Sequence, residues 1–185
     1  MTEIRKTIEI DAPSETVFKA LSDQNELTNW FPDAAILEPK VGGQFKISFY
    51  KDSKNPRMKL DMDFHNEGRV LEFVENKKLA YTWQWKGGPN FPETVVTWEL
   101  EKLGEHKTRV TLTHTGFTGN EEGPASVSEH DKGWSFFCNE LVSYHLAMAS
   151  ILVPVLFVCF WKKRKRKSNN WTPVQLLKLS VFSTK

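Results

Sequence analysis

Cysteine is scarce in this chain of 185 residues: Cys138 and Cys159 are the only two. They lie 21 residues apart in apolar helical stretches rather than in a framework of turns, which excludes a disulfide scaffold and fits a reducing, cytoplasmic compartment. There is no His-x-x-x-His, Cys-x-x-Cys or Glu-x-x-His pair. Without such ligand spacing, no metal and no other cofactor is expected. No apolar run of signal-peptide type opens the sequence, so secretion is not expected. Repeats are lacking, and the one low-complexity tract is the basic run Lys162 to Lys167. Acid is missing altogether after Glu140. Val41-Gly42-Gly43 has no downstream Lys-Ser/Thr and precedes a strand, so it is a turn and not a phosphate loop. Ser126 and Ser128 do not sit in a nucleophile elbow, and Cys138 lacks any oriented base that the sequence shows, which leaves nucleophilic catalysis with little support.

What is present is globular: 39% hydrophobic, 26% charged and 12% aromatic residues, in a length that suits one core. The net charge of +2 conceals an asymmetry. Residues 1–146 carry 17 Lys/Arg against 23 Asp/Glu, a net of −6, whereas 147–185 carry 8 basic residues and no acid. An acidic body repels the phosphate backbone, so nucleic acid is not its expected partner.

Periodicity predicts the elements. Ile4, Lys6, Ile8 and Ile10 share one parity and mark a first strand, followed after Ala12-Pro13 by a short helix with Val17, Ala20 and Leu21. A second short helix follows Asp23 and stops near Trp30-Phe31-Pro32. Alternation then predicts strands on Phe45, Ile47 and Phe49; on Met58, Leu60, Met62 and Phe64; on Leu79, Tyr81, Trp83 and Trp85; on Val96, Trp98 and Leu100; and on Val110, Leu112 and His114. Asp61, Asp63 and His65 then fall on an outward strand face rather than in a metal site. Ser126 to Glu129 reads as a capping box, and behind it Val127, His130, Trp134, Phe137, Leu141 and Tyr144 recur at helical spacing. A one-faced antiparallel sheet covered by one long helix is a two-layer α+β domain.

Several strings resemble a known family: Ala12-Pro13 leading into Val17-Phe18, Trp30-Phe31-Pro32, Val41-Gly42-Gly43, Tyr81-Thr82-Trp83, Thr113-His114-Thr115-Gly116-Phe117 and His130-x-x-Gly133-Trp134. In order, from about Glu3 to Leu146, they look like the START-like (SRPBCC) superfamily. Within it they resemble the branch named for homologues of an activator of a heat-shock-protein ATPase, the AHSA-type domains. The resemblance implies a helix-grip (Bet v-like) fold, in which a bent antiparallel sheet wraps a long C-terminal helix around a mostly apolar cavity. It assigns 1–146 to the family domain and leaves 147–185 as an apolar, then basic, extension.

The resemblance also makes Trp30, Phe45, Phe49, Met62, Phe64, Tyr81, Trp83, Trp85, Trp98, Trp134 and Phe137 candidates to line a hydrophobic-ligand site, although the same residues can simply fill a core. His114 lies on an inward strand face, where it either meets a ligand's polar end, acts as acid or base, or is a structural histidine bonded to backbone near Gly116. His130 poses the same choice, with a bond from helix to sheet as the structural alternative.

Leu146 to Trp161 is uncharged for 16 residues, about 24 Å as a helix and short of the ~30 Å hydrocarbon layer. A membrane span, an interfacial anchor and a non-domain extension, the last including a shifted reading frame, all remain open for the tail. For the domain, three functions are compatible with the sequence. It binds a small hydrophobic molecule, it docks on a chaperone ATPase, or it is a cyclase- or hydrolase-like enzyme using His114. Fold alone does not choose between them.

Overall fold

The computed structural model describes residues 2–53, 60–87, 91–122 and 125–165, with side chains from Glu3 to Ser150 within those stretches. Strand β1 (Thr2–Ile10) buries Ile4 and Ile10 and turns Glu3, Arg5, Thr7 and Glu9 to solvent. Pro13 precedes helix α1 (Ser14–Ser22), whose Val17, Phe18, Ala20 and Leu21 are buried. Asp23 ends α1 and caps α2 (Gln24–Leu27), its carboxylate accepting from the backbone N–H groups of Asn25 and Glu26. Strands β2 (Ala34–Leu37), β3 (Gln44–Phe49), β4 (Phe64–Val74), β5 (Lys78–Trp85), β6 (Thr94–Gly104) and β7 (Lys107–Phe117) follow, and α3 covers Val127–Lys165.

All strand pairs are antiparallel, in the order β1-β7-β6-β5-β4-β3-β2. The expected α+β helix-grip fold is therefore the observed one: a bent antiparallel sheet with a long C-terminal helix on its apolar face. Aromatic rings join the layers. Trp134 of α3 lies 5.4 Å from Trp83 and 5.8 Å from Trp98, and Phe137 lies 5.3 Å from Phe49. Lys6, on the inner parity of β1, reaches Asp131 of α3 at 2.7 Å. On the outer face, Glu9, Lys107, Arg109 and Glu101 form a chain of exposed ion pairs worth little to stability.

One strand departs from expectation. Alternation predicts a strand on Met58 to Phe64, but Leu60 to Asp63 lie before β4, which begins at Phe64 and runs on to Val74. Met58 lies outside the described residues. The misplaced signal has a physical cause: β4 puts Asn66 and a glycine where alternation looks for apolar side chains, and a bulge between Val70 and Glu72 breaks its parity.

Gly68 is compulsory there. A Cβ added to it would fall 1.8 Å from the Thr82 carbonyl oxygen of the neighbouring strand. Phe45 of β3 pairs with this bare position, and its ring stacks on Tyr81 of β5 at 3.8 Å. Gly68→Ala is expected to cost about 1–3 kcal/mol through overpacking, read as a lower urea midpoint. An unchanged midpoint would show that β4 and β5 can separate freely.

The chain divides into two compact units, 1–146 and 147–185. The first holds the sheet and the core; the second contains helical backbone as far as Lys165. Among the described residues, no helix is long and apolar enough to cross a membrane.

Candidate functional site

The apolar face of the sheet and α3 do not meet everywhere. Between them lies a chamber of about 790 Å³, within the range of small-molecule sites. Strand β3 contributes Phe49, β4 contributes Phe64 and Asn66, and β5 contributes Trp83 and Trp85. From α3 come Glu129, His130, Gly133, Trp134 and Phe137, while Phe31 enters from the segment after α2. Leu60, Asp61, Met62 and Ser126 complete the described lining, and the exposure of Asp61, Met62 and Glu129 marks its solvent end.

The walls are ring against ring. Phe31 stands edge-on to Phe137 at 4.7 Å and lies 5.6 Å from Trp134, and Phe64 stacks on Trp85 at 5.7 Å. These contacts hold large apolar surfaces in fixed orientations at little entropic cost, because an aromatic side chain has few rotatable bonds. Gly133 matters by what it omits: a Cβ added there meets nothing within 4 Å, so the helix presents open space to the chamber at that turn.

His114 sits behind this wall, fully buried. The Trp134 indole Nε1–H donates to His114 Nδ1 at 2.9 Å, and the ring's Nε2 is 2.7 Å from Thr94 Oγ1, which in turn donates to the Trp83 carbonyl at 3.0 Å. One direction of donation satisfies every member: Trp134 to His114 Nδ1, His114 Nε2–H to Thr94, Thr94 to Trp83. The imidazole is therefore neutral with its proton on Nε2. Burial, with the neighbouring His130 adding to it, pushes its pKa down to about 2. Both ring nitrogens are engaged, which leaves no lone pair or labile proton for acid–base chemistry near pH 7. Its partners are side chains, not the backbone near Gly116 that the sequence suggests.

His130 does line the chamber. Its Nδ1–H donates to the Ser126 carbonyl at 3.1 Å, so the bond stays within its own helix start instead of reaching the sheet, and its ring stacks on Phe91 at 5.4 Å. Burial holds its pKa below the ordinary histidine value, so the ring is neutral near pH 7. The capping box is half formed: Ser126 Oγ accepts from the Glu129 N–H, but the Glu129 carboxylate bonds Lys132. Cys138 is buried, and burial raises its thiol pKa to about 11, which makes it inert as a nucleophile.

Of the residues nominated from sequence, Phe49, Met62, Phe64, Trp83, Trp85, Trp134 and Phe137 come together around the chamber. Trp30, Phe45, Tyr81, Trp98 and His114 lie in the core away from its lining. Trp30 donates its indole N–H to the Ala20 carbonyl of α1, and Trp98 donates to the Tyr81 hydroxyl. Asp61 is at the chamber's exposed end, whereas Asp63 accepts from the Lys51 N–H and His65 bonds Ser48, so the three do not form one strand face. Sequence reasoning left out Phe31, Asn66 and Gly133; the last breaks the apolar stripe of α3, which is a legible sign of open space.

Residues 11–145 match the family described as Activator of Hsp90 ATPase homolog 1-like protein. No curated protein is significantly similar to the chain. Among solved structures, a protein from Mesorhizobium loti is 23% identical, with a TM-score of 0.60 over 77% of this chain and 96% of its own. A Chromobacterium violaceum protein is 21% identical, with a TM-score of 0.63 over 76% of this chain and 94% of its own. An HSP90 activator from Plasmodium falciparum is 22% identical, with a TM-score of 0.58 over 76% of this chain and 94% of its own. At these identities the likeness is one of fold.

Proposed function

The chain belongs to the activator of Hsp90 ATPase homolog 1-like family, and from that premise and its chamber we propose that it is a binding module for a small hydrophobic molecule. The observation that carries this reading is the aromatic chamber of about 790 Å³ between sheet and helix. A ligand that removes roughly 250 Å² of apolar surface from water there gains about 6 kcal/mol before the costs of association, enough for useful affinity. Catalysis has no comparable support, because the buried histidine is spent within the fold and, in the described lining, Ser126 Oγ accepts from the Glu129 N–H and His130 Nδ1 is bonded to the Ser126 carbonyl rather than to its hydroxyl.

Native mass spectrometry of the full chain tests the reading. The expected result is a retained small molecule, or saturable quenching of tryptophan emission when a naphthalene-sized apolar compound is titrated. The absence of both a retained compound and saturable quenching would sink it.

A second reading rests on the family's name and on the Plasmodium HSP90 activator that shares the fold. Docking on a chaperone ATPase would use the outer surface, where Ile36, Val41, Leu71 and Val74 are exposed, and not the chamber. Adding the chain to an Hsp90-type ATPase would then change the hydrolysis rate in a way that a chamber-filling ligand does not reverse. An unchanged rate removes this second reading.

A further inference from the structure

Four described buried side-chain polar atoms have no hydrogen-bond partner: Asn66 Oδ1, Trp83 Nε1, Trp85 Nε1 and His145 Nε2. The first three belong to residues that line the chamber. The other described indoles are satisfied: Trp30 donates to Ala20, Trp98 to Tyr81 and Trp134 to His114. Orphaned buried polar groups are rare and call for a partner. The Nε1 edge of Trp85 lies beside Gly87, outside the chamber lining, which leaves Asn66 Oδ1 and Trp83 Nε1 as the pair on chamber-lining residues. Asn66 is the cross-strand partner of Trp85, and Trp83 lies two residues along on the same face of β5. Asn66 is 4% and Trp83 5% exposed, so bulk water does not serve them.

We infer that the molecule bound in the chamber carries an uncharged group that both donates and accepts hydrogen bonds, an amide or a hydroxyl, which gives a hydrogen to Asn66 and accepts from the Trp83 indole N–H. This rests on the ligand-binding reading above and names its ligand's polar chemistry. A hydrocarbon would leave both atoms unpaired. A carboxylate could accept from the indole but would face the Asn66 oxygen, and the described lining offers it acidic Asp61 and Glu129 with no Lys or Arg. An acceptor-only group, such as an ester, answers the indole and not Asn66.

Three probes on one ring system separate these cases: 2-naphthamide, methyl 2-naphthoate and 2-naphthoate, titrated calorimetrically into the full chain at pH 7.5. The amide is expected to bind at least about tenfold more tightly than the ester, with the carboxylate weakest, because a site's unpaired polar group penalises the analogue that cannot answer it. Asn66→Leu should weaken the amide to the level of the ester and leave the ester unchanged. Its urea midpoint should hold or rise, since the variant removes a buried acceptor that has no partner. Trp83→Phe keeps the ring, loses the donor, and should weaken amide and ester alike. Equal binding of amide and ester, or an Asn66→Leu variant that binds the amide as tightly as the parent, overturns the inference and leaves the apolar chamber standing. Binding by none of the three removes the chamber reading and this inference together.

Discussion

Gly133→Phe is expected to abolish ligand capture while leaving the fold intact. Most substitutions in a binding chamber confound the two, because lining residues are also core residues. Trp134, for example, holds His114 in place, so its loss would disturb the sheet beneath as well. Gly133 is the exception: it lines the chamber from α3, and a Cβ there meets nothing within 4 Å. A benzyl group at this point projects into the volume that a ligand needs. Glycine inside a helix is unfavourable by about 0.8–1.0 kcal/mol relative to alanine, so most replacements gain a few tenths of a kcal/mol in backbone propensity. The expected outcome is an affinity loss of at least about 100-fold with a urea midpoint equal to or above that of the parent, and Gly133→Ala should be the milder step in both. Undiminished binding by Gly133→Phe would move the ligand out of the chamber.

Acidification from pH 6.5 to 5 is expected to destabilise the protein, with His114 as the main cause. In the unfolded chain a histidine titrates near 6.5, whereas in the fold burial holds His114 near 2. Above pH 6.5 the ring is neutral in both states and contributes no slope. Below it, the unfolded state takes up a proton that the folded state cannot, and each further pH unit costs about 1.4 kcal/mol. By pH 5 the loss is about 2 kcal/mol, and the depressed pKa of His130 acts in the same direction. The lowered carboxylates Glu26 and Glu67 contribute only at more acidic pH, where they protonate. Urea midpoints at pH 7.5 and 5.0 would show the fall. His114→Gln, which can still accept from Trp134 and donate to Thr94, should be less stable at pH 7.5 yet much flatter with pH. A parent protein equally stable at both values would show that His114 is protonated in the folded state.

The architecture was legible because period-two alternation and period-3.6 spacing each leave their mark when one face is buried and the other wet. Strands β3, β6 and β7 and the start of α3 follow that rule, whereas β5 was legible from its large apolar residues alone, since Leu79 to Trp83 are buried on both faces. Strand β4 escaped because its inward face carries Asn66, and its bulge shifts the parity. The lining was half legible for a related reason. Alternation identifies which face of a strand points inward, but not which inward residues touch the helix and which touch the gap. Trp83 and Trp98 are indistinguishable by pattern, yet Trp83 lines the chamber and Trp98 is packed away against Tyr81. Trp30 and Phe31 are neighbours in sequence, but the first is tied to α1 and the second faces the chamber. Asn66 was hidden by chemistry, because a buried amide on an apolar face reads as an outward residue.

The register of β1 bears on the order in which the protein is made. Among the described strands its one partner is β7, and the Glu9–Arg109 pair joins residues 100 positions apart. At roughly 5–20 residues per second, ribosomal synthesis of the intervening chain takes on the order of 5–20 s. Throughout that interval β1 waits for its partner, while the hairpin of β4 and β5 can close locally. Nascent chains are thus exposed to wrong pairing at β1 until β7 emerges, and the exposed charges of Glu3, Arg5 and Glu9 are of the kind that discourages it.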